Sequence, residues 1–339
     1  TGKPTLIYMG REVIQNWFAL YEARTRRWLD LDYRDKWGIF GGQKVIPLER
    51  RKPPYWVWNQ GLNQVYFSIF HINQETARDY VDALWRYCPK YLIVYPSSLA
   101  VLSKFILNAG LNPPKLTAII SNSETLTDHY RGLIHQAFNC PIMDTYGMVE
   151  MLSQTSECAH GRMHFWPETG VMEIYDPKTG QISTGGGPGL YCMTGLINED
   201  MPLIRYVNGD VGCLPIWNAS CHCGRALPTM DPVQGRSNDL ILTADGRELY
   251  ILDSLYNGLP ILEAQLIQKS LDSFEVKTVP GKDYRRAYVE EEIQGRLKAY
   301  LGDVSLEFSE VNTIERNLNG KFKPFVSRIN PLEGGHKQE

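Results

Sequence analysis

Between about residues 70 and 150 the sequence alternates solid apolar runs with helical periodicity, and this limits the folds open to the chain more than any other feature. The run Tyr91-Leu92-Ile93-Val94-Tyr95 is apolar throughout, as a strand covered on both faces must be, and Pro96 ends it. Before it, after the candidate N-cap Asn73, Ala77, Tyr80, Val81, Leu84 and Trp85 recur at i, i+3, i+4, i+7 and i+8, which predicts one packed helical face. After it, Leu99, Leu102, Phe105 and Ile106 predict a second helix, stopped by Gly110 and Pro113-Pro114 ahead of the strand Leu116-Thr117-Ala118-Ile119-Ile120. A further helix over roughly 128–138 leads into the strand Ile142-Met143-Asp144 and then Tyr146-Gly147. Repeated strand–helix–strand units predict a parallel sheet with ligands beyond the carboxyl ends of its strands. The loops after Tyr95, Ile120 and Asp144 are therefore expected on one rim.

Between about 160 and 235 the helical period fades into Gly/Pro-punctuated β-like pieces at 171–175, 190–193 and 203–206. From Ser237 onward a shorter mixed segment carries a hairpin candidate at Ala244-Asp245-Gly246-Arg247 and a helix over about 290–300. The polar stretch after Asn330 reads as a loose tail.

With 339 residues and 43% hydrophobic content the chain can bury one large core and a smaller second one. No run approaches the roughly 18 apolar residues of a membrane span, and the first residues lack the build of a signal peptide, so a cytoplasmic protein is expected. The 35 basic and 38 acidic residues are interspersed and leave a formal charge of −3, no field for nucleic acid or an anionic membrane. Seven cysteines over such a length suit reduced thiols or a metal site rather than a disulfide scaffold.

Five short motifs follow one another in order: Thr1-Gly2-Lys3-Pro4, Tyr146-Gly147-Met148-Val149-Glu150, Arg205-Tyr206-Val207-Asn208-Gly209-Asp210, Gly235-Arg236-Ser237-Asn238-Asp239 and Asn319-Gly320-Lys321-Phe322. Each alone is a common turn. Their order and spacing resemble the adenylate-forming superfamily of acyl-CoA synthetases, peptide-synthetase adenylation domains and luciferases. Within it, Ser121-Asn122-Ser123-Glu124-Thr125-Leu126, Met201-Pro202-Leu203-Ile204-Arg205-Tyr206 and Cys221-His222-Cys223-Gly224-Arg225 are similar to phenylacetate–coenzyme A ligases and their homologues in capsular-polysaccharide biosynthesis.

That resemblance implies an α/β fold: a large adenylate-forming domain with a mainly parallel sheet flanked by helices plus a β-rich subdomain, and a small mixed α+β C-terminal domain. The expected boundaries are 1–235 for the large domain, 236–239 for a hinge at Asn238, 240–330 for the small lid domain and 331–339 for the tail. The implied activity is ATP-dependent conversion of a carboxylic acid, aryl or similar, to acyl-AMP, followed by transfer to coenzyme A. Transfer to an acyl-carrier protein or an amine, and an inactive scaffold in polysaccharide biosynthesis, are the alternatives; a homodimer is a further candidate assembly. Attack of a carboxylate on the α-phosphate brings two anions together, so a cation and a metal must neutralise the charge that develops. Lys321 resembles the late catalytic lysine and Glu150 the acid that anchors Mg2+. Thr1, Lys3, Ser123, Glu124, Thr125, Asp144, Tyr146, Gly147, Asp210 and Arg236 are the implied ATP/AMP-binding residues, Asp210 accepting from the ribose hydroxyls. His71 and Tyr95 fall where the acyl pocket is expected, and Trp56, Trp58, Tyr66 and Phe67 are aromatic residues close by in sequence.

Independently of the resemblance, Cys158, His164, Cys221 and Cys223 are a soft donor set suited to a tetrahedral structural Zn2+, with His160 competing for the fourth place. Four protein ligands would leave no open position for a substrate. Cys88, Cys140, Cys192 and Cys213 read as core residues.

Three departures from the pattern stand out. Val149 replaces the threonine expected before Glu150, and Asn238 replaces the hinge aspartate. The chain also starts inside the phosphate-binding loop, whose first half and preceding N-terminal part are expected to be missing.

Overall fold

The structure is a computed structural model that describes residues 6–177, 179–183, 187–236, 241–243, 248–249, 255–256, 258–281, 283–316 and 321–329. Thr1, Lys3, Asn238, the turn at 244–247 and Asn319-Gly320 lie outside the described residues, as does the side chain of Arg236.

Strands β1 (Trp37–Gly41), β2 (Trp56–Asn59), β3 (Gln64–Ser68), β4 (Tyr91–Val94), β5 (Ala118–Ser121), β6 (Ile142–Gly147), β7 (Gln154–Glu157) and β8 (Met163–Phe165) join β13 (Thr229–Met230) in a nine-stranded sheet of order β13-β8-β7-β6-β5-β4-β1-β3-β2. Its five central strands, from β6 to β3, are parallel, and antiparallel strands extend it on both sides. The all-apolar run lands in the middle as expected. Leu92 and Val94 pack with helices α2 (Ala77–Tyr87), α3 (Pro96–Asn108) and α4 (Asp128–Phe138), while Tyr91 and Ile93 face Leu31, Tyr21 and Leu29 below α1 (Arg11–Tyr21). Burying each such aliphatic side chain is worth about 1.5–3 kcal/mol. Trp85 departs from its predicted packed face: it is 55% exposed, and its indole N–H donates to the Asn112 carbonyl at 2.8 Å.

The parallel register sets Val94 and Ser121, the last residues of β4 and β5, abreast of Asp144 in the middle of β6, where its parallel pairing ends. Tyr95, the 122–125 loop and Tyr146 follow them onto one rim.

The β-like region forms an antiparallel second sheet of β9 (Gly170–Asp176), β10 (Gln181–Ile182), β11 (Gly189–Gly195), β12 (Tyr206–Gly212) and β14 (Gly235–Arg236). The piece expected at 203–206 begins as strand only at Tyr206, because Arg205 takes a left-handed turn at φ 51°. A short pair, β15 (Ile241–Leu242) with β16 (Glu248–Leu249), precedes a last sheet of β17 (Ile261–Gln268), β18 (Ser273–Pro280), β19 (Ser305–Glu310) and β20 (Phe325–Ser327) in the order β19-β18-β17-β20. Helix α5 (Arg286–Leu301) lays Val289, Ile293 and Leu297, spaced at i, i+4 and i+8, on Leu266, Phe274, Val276 and Phe325. This core is distinct from that of the nine-stranded sheet.

Among the cysteines, Cys140 and Cys192 are buried as expected, whereas Cys213 is half-buried and Cys88 is exposed. Cys88 caps α2 in the left-handed region at φ 43°, which turns its thiol outward toward the Trp85 carbonyl. No helix among the described residues is long and apolar enough to cross a membrane.

Candidate functional site

Where β6 faces the second sheet, polar side chains from two motifs meet. Tyr146 donates its phenol proton to Asp210 Oδ2 at 2.7 Å, and the Asn208 amide donates to the same oxygen at 2.6 Å and to the Tyr146 hydroxyl at 3.0 Å. Asn208 Oδ1 in turn accepts from the Asp210 backbone N–H at 3.0 Å. Asp210 is thus held by the strand that carries it and is 6% exposed. Its strand pairs with β14 so that Asp210 lies opposite Arg236. Gly147 lies opposite Gln154, whose amide fills the space a β-carbon would need.

Two residues before Tyr146 on the same strand, Asp144 is enclosed. Burial pushes its carboxyl up to about 7; the Ser121 hydroxyl and the Arg131 guanidinium pull the other way, and Glu157 adds to the rise. Among the described residues its Oδ1 has no hydrogen-bond partner. Glu157 holds this corner by accepting from the Asp144 N–H at 2.8 Å and from Arg131 through both oxygens, at 2.8 and 3.0 Å. Glu150 accepts from the Tyr206 hydroxyl at 3.4 Å, and Val149 beside it is 68% exposed.

Across the rim, the Lys321 ammonium stands 5.7 Å from the centre of the Tyr95 ring. The segment that bears it is fastened by Glu124, whose Oε1 accepts from the Phe322 N–H at 2.9 Å. The other oxygen accepts from the Ser97 N–H at 3.2 Å. Ser123 takes a left-handed φ of 69°, which turns the loop sharply after β5, and both Ser123 and Thr125 are exposed on the rim.

The acyl-side expectations divide. Tyr95 faces Lys321, but His71 sits in the core: its Nδ1 is 2.8 Å from Ser68 Oγ and its ring stacks on Tyr55, and burial lowers its pKa. Phe67 is fully buried and stacks on Phe40, and Trp56 and Trp58 pack against the same core. Tyr66 has a second phenol, Tyr95, close by; burial, reinforced by that neighbour, raises its pKa.

The four soft donors come together. The ligand atoms of Cys158, His164, Cys221 and Cys223 all lie within 4.8 Å of one another. Cys158 Sγ is 3.7 Å from Cys221 Sγ, and Cys223 Sγ is 3.3 Å from His164 Nε2. A tetrahedral zinc with bonds of about 2.3 Å to sulfur spaces its thiolates about 3.8 Å apart, so this arrangement fits the ion and is too wide for a disulfide. Cys158 lies in the turn between β7 and β8, and Gly224, at φ 73°, closes the turn that presents Cys221 and Cys223. His160 is exposed near His222 and is not in the group.

The fold is that of the adenylate-forming ligases. It superposes on the crystal structure of 2-hydroxyisobutyryl-CoA ligase in the postadenylation state, in complex with an acyl adenylate, at a TM-score of 0.71, with 20% identity over 96% of this chain and 72% of that one. The same ligase in its thioesterification state gives 0.53. By sequence the chain is a homologue of CapK and of the phenylacetate–coenzyme A ligases. It is 26% identical over 325 residues to CapK of Staphylococcus aureus, covering 88% of this chain and 68% of that protein. It is 28% identical over 255 residues to the phenylacetate–coenzyme A ligase of Thermus thermophilus, covering 71% of this chain and 54% of that one. Residues 243–328 match the CapK C-terminal domain. The chain thus spans little more than half of one relative and about two thirds of the other.

Proposed function

We propose that the chain activates a carboxylic acid, aryl or similar, with ATP and passes the acyl group from acyl-AMP to coenzyme A. The observation that carries this reading is the hydrogen-bonded Tyr146–Asn208–Asp210 cluster beyond the parallel strands, with Lys321 held beside Tyr95, groups distant in sequence whose residue types suit one reaction. Asp210 accepts from the ribose hydroxyls, Tyr146 walls the purine, and the unpartnered Oδ1 of Asp144 accepts from its exocyclic amine. An acid oxygen attacks the α-phosphorus as the bond to pyrophosphate breaks, and Lys321 supplies a mobile positive charge between the two anions. Glu150 would hold Mg2+, which supplies charge neutralisation on the leaving pyrophosphate. Tyr95 flanks the acyl side.

The same proposal divides the chain at 236–239 into a large and a small domain, matching the separate core below α5. It assigns Cys158, His164, Cys221 and Cys223 to a structural zinc, and ATP and coenzyme A as substrates fit a cytoplasmic setting. Exposed Val149, where a threonine hydroxyl is expected, favours a second reading: a non-catalytic homologue serving polysaccharide assembly.

Acid-dependent exchange of labelled pyrophosphate into ATP, across a panel of aryl and fatty acids, tests the first reading. Exchange abolished by Lys321→Ala supports it; a folded protein that exchanges with no acid supports the second. Adding coenzyme A, a carrier protein or an amine to the exchanging mixture identifies the acceptor.

A further inference from the structure

We infer that Glu124 is a positioning residue for Lys321, a carboxylate latch that docks the Lys321-Phe322 segment on helix α3, rather than a ligand of the purine. The kinetic part of this inference rests on the proposed adenylation, whereas the docking itself rests on geometry alone.

Glu124 links residues 198 positions apart: one oxygen accepts from the N–H of Phe322, next to Lys321, and the other from the N–H of Ser97. Ser97 is in the first turn of α3, behind Pro96 at its start. The amides of a first helical turn have no partner within the helix and carry the positive end of its dipole, so a carboxylate there is held by charge as well as by hydrogen bonding. Tyr95, which faces the Lys321 ammonium, is the residue that caps the same helix. One carboxylate therefore fixes the lysine segment and the aromatic wall in a single frame.

Two further contacts hold the docked segment. Phe322 is buried against Val279 and Ile314, and the Arg316 guanidinium lies 4.7 Å from its ring centre while pairing with Glu263. Two turns along α3 from Ser97, Lys104 donates to the Ile261 carbonyl at 2.6 Å, a second tie from this helix to the last sheet. The better superposition on the postadenylation structure (0.71) than on the thioesterification structure (0.53) is a difference in the same sense.

Ser97 and Phe322 each use a different oxygen of Glu124, and glutamine turns one of those two positions into an NH2 donor facing an N–H, so one of the two bonds is lost. The test is Glu124→Gln, read in two ways. Without nucleotide, the rate at which an amine-reactive reagent modifies Lys321, followed by mass spectrometry, is expected to rise at least fivefold while Lys36 and Lys44 are unchanged. In pyrophosphate exchange, kcat is expected to fall at least tenfold with KM for ATP within twofold of the parent. An unchanged labelling rate, or a rise in KM for ATP at constant kcat, overturns the latch, the latter by making Glu124 a nucleotide ligand. If the parent protein shows no exchange, the activity reading fails while the labelling result still decides the docking. Should Glu124→Gln fold poorly, Lys104→Met removes the second tie instead and is expected to raise Lys321 labelling at least twofold; no rise in that variant also overturns the proposal.

Discussion

Tyr146 and Asp210, 64 positions apart in sequence and in different sheets, are joined by a hydrogen bond of 2.7 Å that the phenol donates, with Asn208 closing the triangle from the same strand as the acid. The acid's remaining capacity as an acceptor is what a ribose needs. In Asp210→Asn, an amide oxygen can still accept from Tyr146, so the fold is retained while one acceptor becomes a donor. KM for ATP is expected to rise about tenfold, the equivalent of roughly 1.4 kcal/mol, with a smaller effect for 2′-deoxy-ATP. Asp210→Ala leaves the Tyr146 hydroxyl without this acceptor and is expected to cost a further 1–3 kcal/mol or so in urea unfolding. An unaltered KM for ATP in both variants would remove Asp210 from the site.

If Asp144 meets the nucleotide as proposed, binding is expected to depend on pH. Its pKa rises on folding from near 4 to about 7, so the folded state binds the proton more tightly. Its contribution to stability is present at acid pH and is lost as pH climbs through 7. The exocyclic amine of adenine is a donor and favours the ionised carboxylate, so ATP binding should release protons between pH 6 and 7. Affinity should grow about tenfold from pH 6 to pH 8, close to one pK unit of linkage. Calorimetry in buffers of different ionisation enthalpy measures the release; an equal count for Asp144→Asn would mean the proton comes from elsewhere.

Plasma emission analysis of the purified protein should find one zinc per chain, and Cys221→Ser should lose it. Because four protein ligands complete the shell, the metal is expected to act through folding, and its removal by a chelator should lower the melting temperature. A metal-free preparation that melts at the same temperature with and without added zinc would argue against the assignment.

Val149 is exposed enough to change without disturbing the core. Val149→Thr keeps the branched shape and adds a hydroxyl beside Glu150. If that hydroxyl reaches the α-phosphate, the gain of roughly 0.5–1.5 kcal/mol should raise kcat/KM in pyrophosphate exchange about 2- to 10-fold with an unchanged melting temperature. A lowered rate would indicate that the site is built around the smaller polarity of valine.

The sequence exposes its structure where local chemistry and final environment agree. The strand at 91–94 is apolar and buried, and the helix at 77–87 shows its period, so both are readable before any tertiary contact is known. Strand β7 is the opposite case: Gln154-Thr155-Ser156-Glu157 is entirely buried yet polar, because Thr25 supplies a partner for Ser156 and Arg131 one for Glu157. No window of sequence carries that information. β1 is similarly hidden, since Trp37-Gly38-Ile39-Phe40-Gly41 is short and has glycine at two of five places. In the site, Tyr146, Asp210 and Lys321 stand out through motif order and Asp144 through its predicted strand, whereas the places of Glu157 and Arg131 come from pairing across elements. The Glu124–Phe322 contact spans 198 positions and leaves no local trace.

The antiparallel pairing of β8 with β13 has a consequence for how such a chain can change. The polypeptide leaves the large sheet at residue 165 and returns to the same edge at 229, and four strands of the second sheet lie in the excursion. The soft-donor cluster sits at the neck of this excursion, joining Cys158 on the outgoing side to Cys221 and Cys223 on the return. Such an inserted module begins and ends at one place. Its outer hairpins can lengthen, shorten or be exchanged while Asp144 and Glu157 stay where the parent sheet holds them, so the arm that bears Asp210 and the rim that bears Asp144 are free to diversify separately.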